Sequence, residues 1–425
     1  MNSISPFNIR HPRRNGLRGR AAWPVRVFAV DETSVQLTWR ASPEGGLSLA
    51  VGPQTAHPQA SPKAPLILTP KGDSDRYSSR PLDSHWPAGP GAVTIEGLEP
   101  GRSYEVVASA EGVAPFRAGT VTTLRSPGGE LTASFATVSD VHIGEQRFGI
   151  IGRIHDPYWG TAPYPQRALE AVYDEAKSYG AELLVVKGDL TREASAAEMR
   201  DVGRLLSASP LPIITMLGNH DNHRRVNQIS LLQAQGVTTT LRAQVVDLAA
   251  LRIVAVNTMH PAWRYHRGHV PAEAVPEIAE AVAGGPGPAW LALHHPPELR
   301  PYPTVYPPGI PYSESMALLD AVAKANPNTF VTAGHRHRNR LYHYRGLTIS
   351  EVGSTKDYPG VWAGYRVYEG GITQTVRRIS RPDVIAWTEA TRRAINGQWG
   401  LWAQGRLVDR CFSLAWSGTP TGWTK

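Results

Sequence analysis

Cysteine is nearly missing from this chain. Cys411 is the only one in 425 residues, which rules out an intrachain disulfide and a thiolate zinc cage. The shortage fits a reducing compartment. Long apolar runs are missing too: none reaches the ~18 residues that a membrane-spanning helix needs. The segment "AAWPVRVFAVDETS" is broken by Pro24 and by charge, so it does not read as a secretory h-region. A cytoplasmic protein with no membrane anchor is the expectation. Acidic residues are absent from the first twenty positions, which hold five arginines and supply much of a formal charge of +8. Residues 1–22 are expected to be a disordered, solvated arm, with contact to nucleic acid or another anionic surface as the alternative. Periodicity is lacking as well: 36 prolines and 40 glycines imply many turns but neither collagen nor a solenoid.

What is present divides into two textures. Residues 23–125 read as an all-β module. In "SVQLTWR" the alternation puts Val35, Leu37 and Trp39 on one face of a strand. "AVTIEGLEPGRSYEVVASA" reads as two strands about a Glu99-Pro100-Gly101 turn, with Tyr104 placed as a tyrosine corner would be. Trp39, Leu98, Pro100-Gly101 and Tyr104 together resemble a fibronectin type III sandwich, interrupted by a long proline-rich insert. From about residue 126 to 380, apolar strands alternate with helix-like segments. "RALEAVYDEAKSYG" places Ala168, Leu169, Val172 and Ala176 on one helical face and ends at Gly180. The layout predicts an α/β unit with both sheet faces covered.

The apolar runs of that unit end in a recurring way: "TVSDVHIG", "VVKGDLT", "TMLGNHD", "ALHHPPE" and "VTAGHRHR". In open α/β sheets, ligands sit beyond the carboxyl ends of the strands. A single Asp or His there is usually a cap or a satisfied polar group. Repeated at five strand ends, Asp140, His142, Asp189, Asn219, His294, His335 and His337 would converge on one volume. Carboxylate, imidazole and amide oxygen suit manganese, iron or zinc, and this many donors exceed one tetrahedral site.

The order DxH, GD, GNHD, HxP and GHxH resembles the calcineurin-like metallophosphoesterase superfamily over about residues 131–380. The resemblance implies a four-layer α-β-β-α fold and hydrolysis of phosphoesters by a metal-activated hydroxide. It implies two divalent or trivalent ions (Mn, Fe or Zn). Asp140, His142 and His337 would hold the first, Asn219, His294 and His335 the second, and Asp189 would bridge them. His220 would serve the leaving group as general acid or electrostatic clamp. Asp221 would orient His220 or else cap the next helix.

Purple acid phosphatases also pair a fibronectin-like domain with this catalytic unit, but they carry a ligand tyrosine three residues after the bridging aspartate. Here that position is Arg192, and a guanidinium cannot replace a phenolate. The motif set is closer to the bacterial class III cyclic-nucleotide phosphodiesterases. A small phosphoester, more readily a diester than a monoester, is therefore the expected substrate. A nuclease using the cations near the motifs is the rival, and a non-catalytic binding module the remote one. Arg192, His295, Arg147 and Trp159 are the candidate substrate contacts. Arg147 and Trp159 lie in a loop after the first ligands, and a tyrosine-rich loop follows His294. Their aromatics would stack a nucleobase or pack within the loops. Residues 381–425 are expected to pack on the catalytic unit, with a dimer contact or lid support as the alternative.

Overall fold

The structure is a computed structural model that describes residues 25–59, 67–68, 88–149, 154–156, 162–223, 225–260, 262, 266–285 and 287–416. The basic arm at 1–22 and most of the proline-rich insert lie outside the described residues.

Strands Val25–Val30, Val35–Trp39 and Gly91–Ile95 form one antiparallel sheet. Strands Gln54–Ala56, Leu47–Val51, Ser103–Ala110 and Val113–Thr122 form a second. Val35, Leu37 and Trp39 of the first share an apolar core with Leu49, Val51, Val106 and Ala108 of the second. The Tyr104 hydroxyl accepts from the Glu99 backbone N–H at 2.8 Å, pinning the turn that precedes its strand. The alternation in "SVQLTWR" suggests that Gln36 and Thr38 face water, yet both are buried. Gln36 exchanges two hydrogen bonds with the Arg378 backbone, at 2.7 and 2.8 Å. The outer face of this strand is thus covered by the rest of the chain.

The α/β part is built on two six-stranded sheets. In the first, Ile213–Met216, Leu184–Lys187 and Leu131–Val138 are parallel. Val361–Tyr368, Gly371–Arg378 and Cys411–Ala415 continue it antiparallel. In the second, Leu251–Val256, Ala289–Leu293, Thr329–Ala333 and Leu347–Glu351 are parallel, edged by Ala243–Leu248 and Arg340–Tyr344. The sheets face each other through Phe135, Val185, Met216 and Tyr365 on one side and Ile253, Trp290 and Phe330 on the other. Phe135 stacks on Tyr365 at 4.7 Å and meets Trp290 edge-on at 5.0 Å.

Alternate residues point outward to helices. Val138, Leu184 and Val186 pack with Ala168, Leu169, Val172 and Ala176 of helix Tyr164–Tyr179, and with Met199 and Val202 of helix Ala196–Ser207. Val254, Leu291 and Val331 pack with Ile278, Val282, Leu318 and Val322 of helices Ala274–Ala283 and Tyr312–Ala325. With both faces of each sheet covered, the central strands read as unbroken apolar runs. Gly180 closes the first helix at φ 86°, and Ser195 with Glu198 makes a capping box on the second.

After residue 381 come helix Pro382–Thr391, short helices Gln398–Gln404 and Leu407–Arg410, and the edge strand Cys411–Ala415. This segment reaches both parts of the molecule. Its strand pairs with Gly371–Arg378, while the Arg410 guanidinium donates to the Phe28 carbonyl at 2.9 and 3.0 Å. Cys411 is buried, and its sulfur accepts from the Val30 N–H at 3.4 Å.

Candidate metal centre

All five motifs follow parallel strands, so their polar residues emerge at one edge of the paired sheets. Asp140 and His142 follow Leu131–Val138, and Asp189 follows Leu184–Lys187. Asn219 follows Ile213–Met216, His294 follows Ala289–Leu293, and His335 and His337 follow Thr329–Ala333. The backbone is strained where these side chains turn inward. Asp140, His142, Asp189, His335 and His337 all adopt left-handed φ values between 48° and 68°. Each such residue costs roughly 1–2 kcal/mol, and strain of this kind collects at functional sites. Two glycines make room. A Cβ on Gly218 would collide with Asp189, and one on Gly334 would collide with Ser139 and approach Asp140 at 2.9 Å.

Asp189 sits at the middle of the cluster. Its oxygens lie 3.5 Å from His142 Nε2 and 3.3 Å from His294 Nε2. Asn219 Oδ1 is 3.3 Å from the same His294 nitrogen, and Asp140 Oδ1 is 3.4 Å from His337 Nε2. Ligand atoms of Asp140, His142 and His337 lie within 4.8 Å of one another. So do those of Asp140, Asp189 and His294, and those of His294, His295 and His335. Both ring nitrogens of His142, Nδ1 of His335 and Nε2 of His295 are buried without a hydrogen-bond partner. Orphaned buried imidazole nitrogens are costly in a folded protein. Beside carboxylates at this spacing they form a donor set that fits metal ions.

The charges confirm how tightly the groups are coupled. Burial alone would raise Asp140 and Asp189. The neighbouring histidines outweigh it and hold both carboxyls below their usual range. Burial disfavours charge on His294 and His337 as well. Asp189 nevertheless lifts His294 to about 9, and Asp357 with Asp140 lifts His337 to about 10. Burial pushes His142 down to about 4 and His335 to about 3, leaving their rings neutral. Two histidines therefore carry protons where cations would sit, and two stand ready as neutral donors.

The other candidate residues are placed differently from expectation. His220 lies beside the cluster, its ring 4.5 Å from that of His142. Its backbone N–H donates to Asp189 Oδ1 at 2.8 Å, and its Nδ1 lies 2.7 Å from the Arg192 carbonyl. Asp221 neither orients the His220 ring nor caps the following helix. Its buried carboxylate accepts from the backbone N–H groups of Leu190, Thr191 and Gly218, tying two ligand loops together. Arg192 offers the site its carbonyl. Its half-exposed guanidinium pairs with Glu193 at 3.2 Å. His295 is wholly buried, with Nδ1 2.9 Å from the Thr258 hydroxyl and its ring 4.5 Å from that of His335. It forms a wall of the cluster. Arg147 is exposed on a short strand paired with Ile154–His155, and Trp159 lies outside the described residues.

Several contributors carried no motif. His266 Nδ1 lies 3.1 Å from Asn219 Nδ2, which turns the amide oxygen toward His294. Asp357 Oδ2 is 2.6 Å from His337 Nδ1, and Glu145 Oε2 is 3.6 Å from His142 Nδ1. Lys356 joins the two carboxylates. The polar run "STKD" at 354–357, set among apolar strands, was the one available signal for Lys356 and Asp357.

No family model matches the chain. A protein of Synechococcus sp. named probable cyclic nucleotide phosphodiesterase is 24% identical over 249 residues, 57% of this chain and 89% of that protein. Among solved structures, purple acid phosphatase PPD1 from yellow lupin (Lupinus luteus) aligns at 12% identity and a TM-score of 0.41, over 85% of this chain and 73% of its own. The phosphopantetheinyl hydrolase PptH from Mycobacterium tuberculosis aligns at 16% identity and a TM-score of 0.34, over 53% and 90%. On its ordered motifs and its cyanobacterial relative, the chain resembles the calcineurin-like metallophosphoesterases.

Proposed function

We propose that the chain hydrolyses phosphoester bonds with two metal ions (Mn, Fe or Zn), acting on a small diester such as a nucleotide. The observation that carries this reading is the convergence of strained, buried Asp and His side chains about Asp189. Asp140, His142 and His337 would hold the first ion and Asn219, His294 and His335 the second, with Asp189 shared. Bound there, the ions would supply a lowered water pKa and a sink for charge on the phosphoryl oxygens. The chain's own residues supply the rest. The Arg192 carbonyl can only accept, so His220 Nδ1 carries a hydrogen and Nε2 is the free nitrogen; as an imidazolium, with a second hydrogen on Nε2, the ring gives that proton to a departing alkoxide and is left neutral. Asp221 holds the Asp189 and Asn219 loops in register, and His266 sets the Asn219 amide.

A small substrate is favoured over a long nucleic acid by the fate of the cations near the motifs. Lys187 and Arg336 are buried, Arg336 and Arg338 are paired with Glu298 and Glu351, and Arg192 is paired with Glu193. Of the described cations within or beside the motifs themselves, Arg192, Arg225 and Arg340 are exposed, and three are fewer than a phosphate-tracking groove uses. The division into a fibronectin type III-like module at 23–125, a catalytic unit at 126–380 and an extension at 381–425 belongs to the same reading. The contacts of Tyr104 and Arg410 support it.

The test is a manganese-dependence assay comparing p-nitrophenyl phosphate, bis-p-nitrophenyl phosphate and cyclic nucleotides. Turnover should need metal and favour a diester. A protein that neither retains manganese nor turns over any of the three is not this enzyme. His220→Ala should keep its metal and lose turnover about 10²–10⁴-fold. Loss of metal instead would make His220 a ligand.

A further inference from the structure

The two metal positions are backed unequally. At the second, the outer nitrogens of the histidines meet neutral main-chain carbonyls: His294 Nδ1 lies 2.7 Å from Lys187 O, and His335 Nε2 lies 3.2 Å from Pro308 O. At the first, His337 Nδ1 meets the Asp357 carboxylate, 2.6 Å from Oδ2, and the Glu145 carboxylate adds its charge near His142, with Oε2 3.6 Å from Nδ1 and not hydrogen-bonded to it. Lys356 lies between these acids, its Nζ 2.6 Å from Glu145 and 3.7 Å from Asp357. Two carboxylates and one ammonium leave this layer one charge negative.

The layer is held by the C-terminal segment. Trp399 Nε1 donates to Asp357 Oδ1 at 3.3 Å, and Trp387 Nε1 donates to the Lys356 carbonyl at 2.8 Å. The Trp399 ring lies 6.0 Å from that of His337 and 5.7 Å from Phe148. Asp357 is fully buried, so its free oxygen must find a donor within the protein, and Trp399 supplies it.

We propose that Glu145, Lys356, Asp357 and Trp399 form a positioning network that makes the first metal position, at Asp140, His142 and His337, bind its ion more tightly than the second. A carboxylate that accepts from the outer nitrogen of a ligating histidine fixes its tautomer and ring angle and makes the other nitrogen a better donor. The extra negative charge adds to this, and neither factor is present behind His294 and His335. The segment after residue 381 is thereby part of the metal centre, through an indole N–H that touches no metal.

This inference rests on the two-metal reading, and one experiment separates them. Metal-free full-length chain is dialysed against graded manganese, the ions per chain are counted, and the spin-coupled pair is followed by electron paramagnetic resonance. Wild type should fill in two steps. Asp357→Asn, which keeps the size of the side chain, should weaken the tighter step about 10–100-fold and leave the other unchanged. A mononuclear manganese signal should then persist where wild type shows the coupled pair. Trp399→Phe, which keeps a smaller aromatic ring and loses the N–H, should shift the same step by less and melt close to wild type without metal. If wild type binds two ions but Asp357→Asn leaves both steps unchanged, or weakens both equally, the network does not select between positions and the inference fails. If wild type binds no manganese, the two-metal reading itself fails.

Discussion

Metal uptake should release protons in a number the structure specifies. Of the four histidines among the proposed ligands, His142 and His335 are pushed down by burial to about 4 and about 3, so both are neutral at pH 7. Despite their burial, His294 and His337 are lifted to about 9 and about 10 by the carboxylates around them. A cation needs a neutral imidazole, so filling both positions at pH 7 should displace about two protons from these rings. Each proton weakens apparent affinity about tenfold per pH unit below its pKa, because one pH unit is worth about 1.4 kcal/mol. Overall manganese affinity should therefore rise about 100-fold per unit between pH 6.5 and 8.5. The metal-free fold has the opposite dependence. A raised histidine pKa stabilises it fully below about 6.5, and that contribution is lost as pH rises through about 9–10. Calorimetric titration in buffers of different ionisation enthalpy counts the protons directly. His337→Gln should remove one from the count. Binding that is independent of pH over this window, with no proton released, would refute the assignment of charge in the cluster.

Two further perturbations test the scaffold. Gly218→Ala places a methyl group against Asp189, including its backbone nitrogen, which cannot yield as a flexible side chain would. Overpacking of this kind costs about 1–3 kcal/mol. The Asp189 carboxylate, proposed above to be shared by two ions, should be displaced as well, so lowered metal content in a folded protein is the expected assay result. At the junction of the two parts, Arg377 bonds to buried Asp31 at 2.5 Å and to the Ser34 hydroxyl at 2.9 Å. Breaking one side of a buried ion pair costs about 3–5 kcal/mol where the other side is left unpaired. Arg377→Met should cost less than that in urea unfolding, since Asp31 keeps Arg366 at 3.4 Å and its bonds from Thr33 and Ser34.

The convergence of Asp, Asn and His side chains was legible in the sequence because its geometry is imposed locally. A polar side chain that must stand beyond the end of a parallel strand leaves Asp, Asn or His within three residues of an apolar run, and Asp140, Asp189, Asn219, His294 and His335 all do so. The helix over Ala168–Ala176 was legible for a similar reason, since its period is set within the segment itself. Burial by a remote partner leaves no such mark. Gln36 looks solvent-facing until the Arg378 backbone, 342 positions away, takes both ends of its amide. Arg336 and Arg338 look like a phosphate groove until Glu298 and Glu351 neutralise them. Arg192 is read in the sequence for its side chain, and nothing there shows that its carbonyl also meets His220 Nδ1.

The same distinction explains why ligands and their supports differ in visibility. A ligand is chosen by what it must donate, which restricts it to a few residue types at a few backbone positions. A support has only to supply a compensating charge or hydrogen bond from wherever the chain happens to pass. Glu145 and Lys356 are 211 positions apart and meet at 2.6 Å, and Trp399 reaches Asp357 from a segment that follows the last motif. Since such partners can be drawn from any loop, related chains with the same motifs are free to use different ones. Differences in metal preference between them should then track residues equivalent to Glu145, Asp357 and Trp399 more closely than the ligands. Exchanging these residues between two such chains, and reading which ion each metal position retains, would decide it. Retained preference after the exchange would place selectivity back in the ligands.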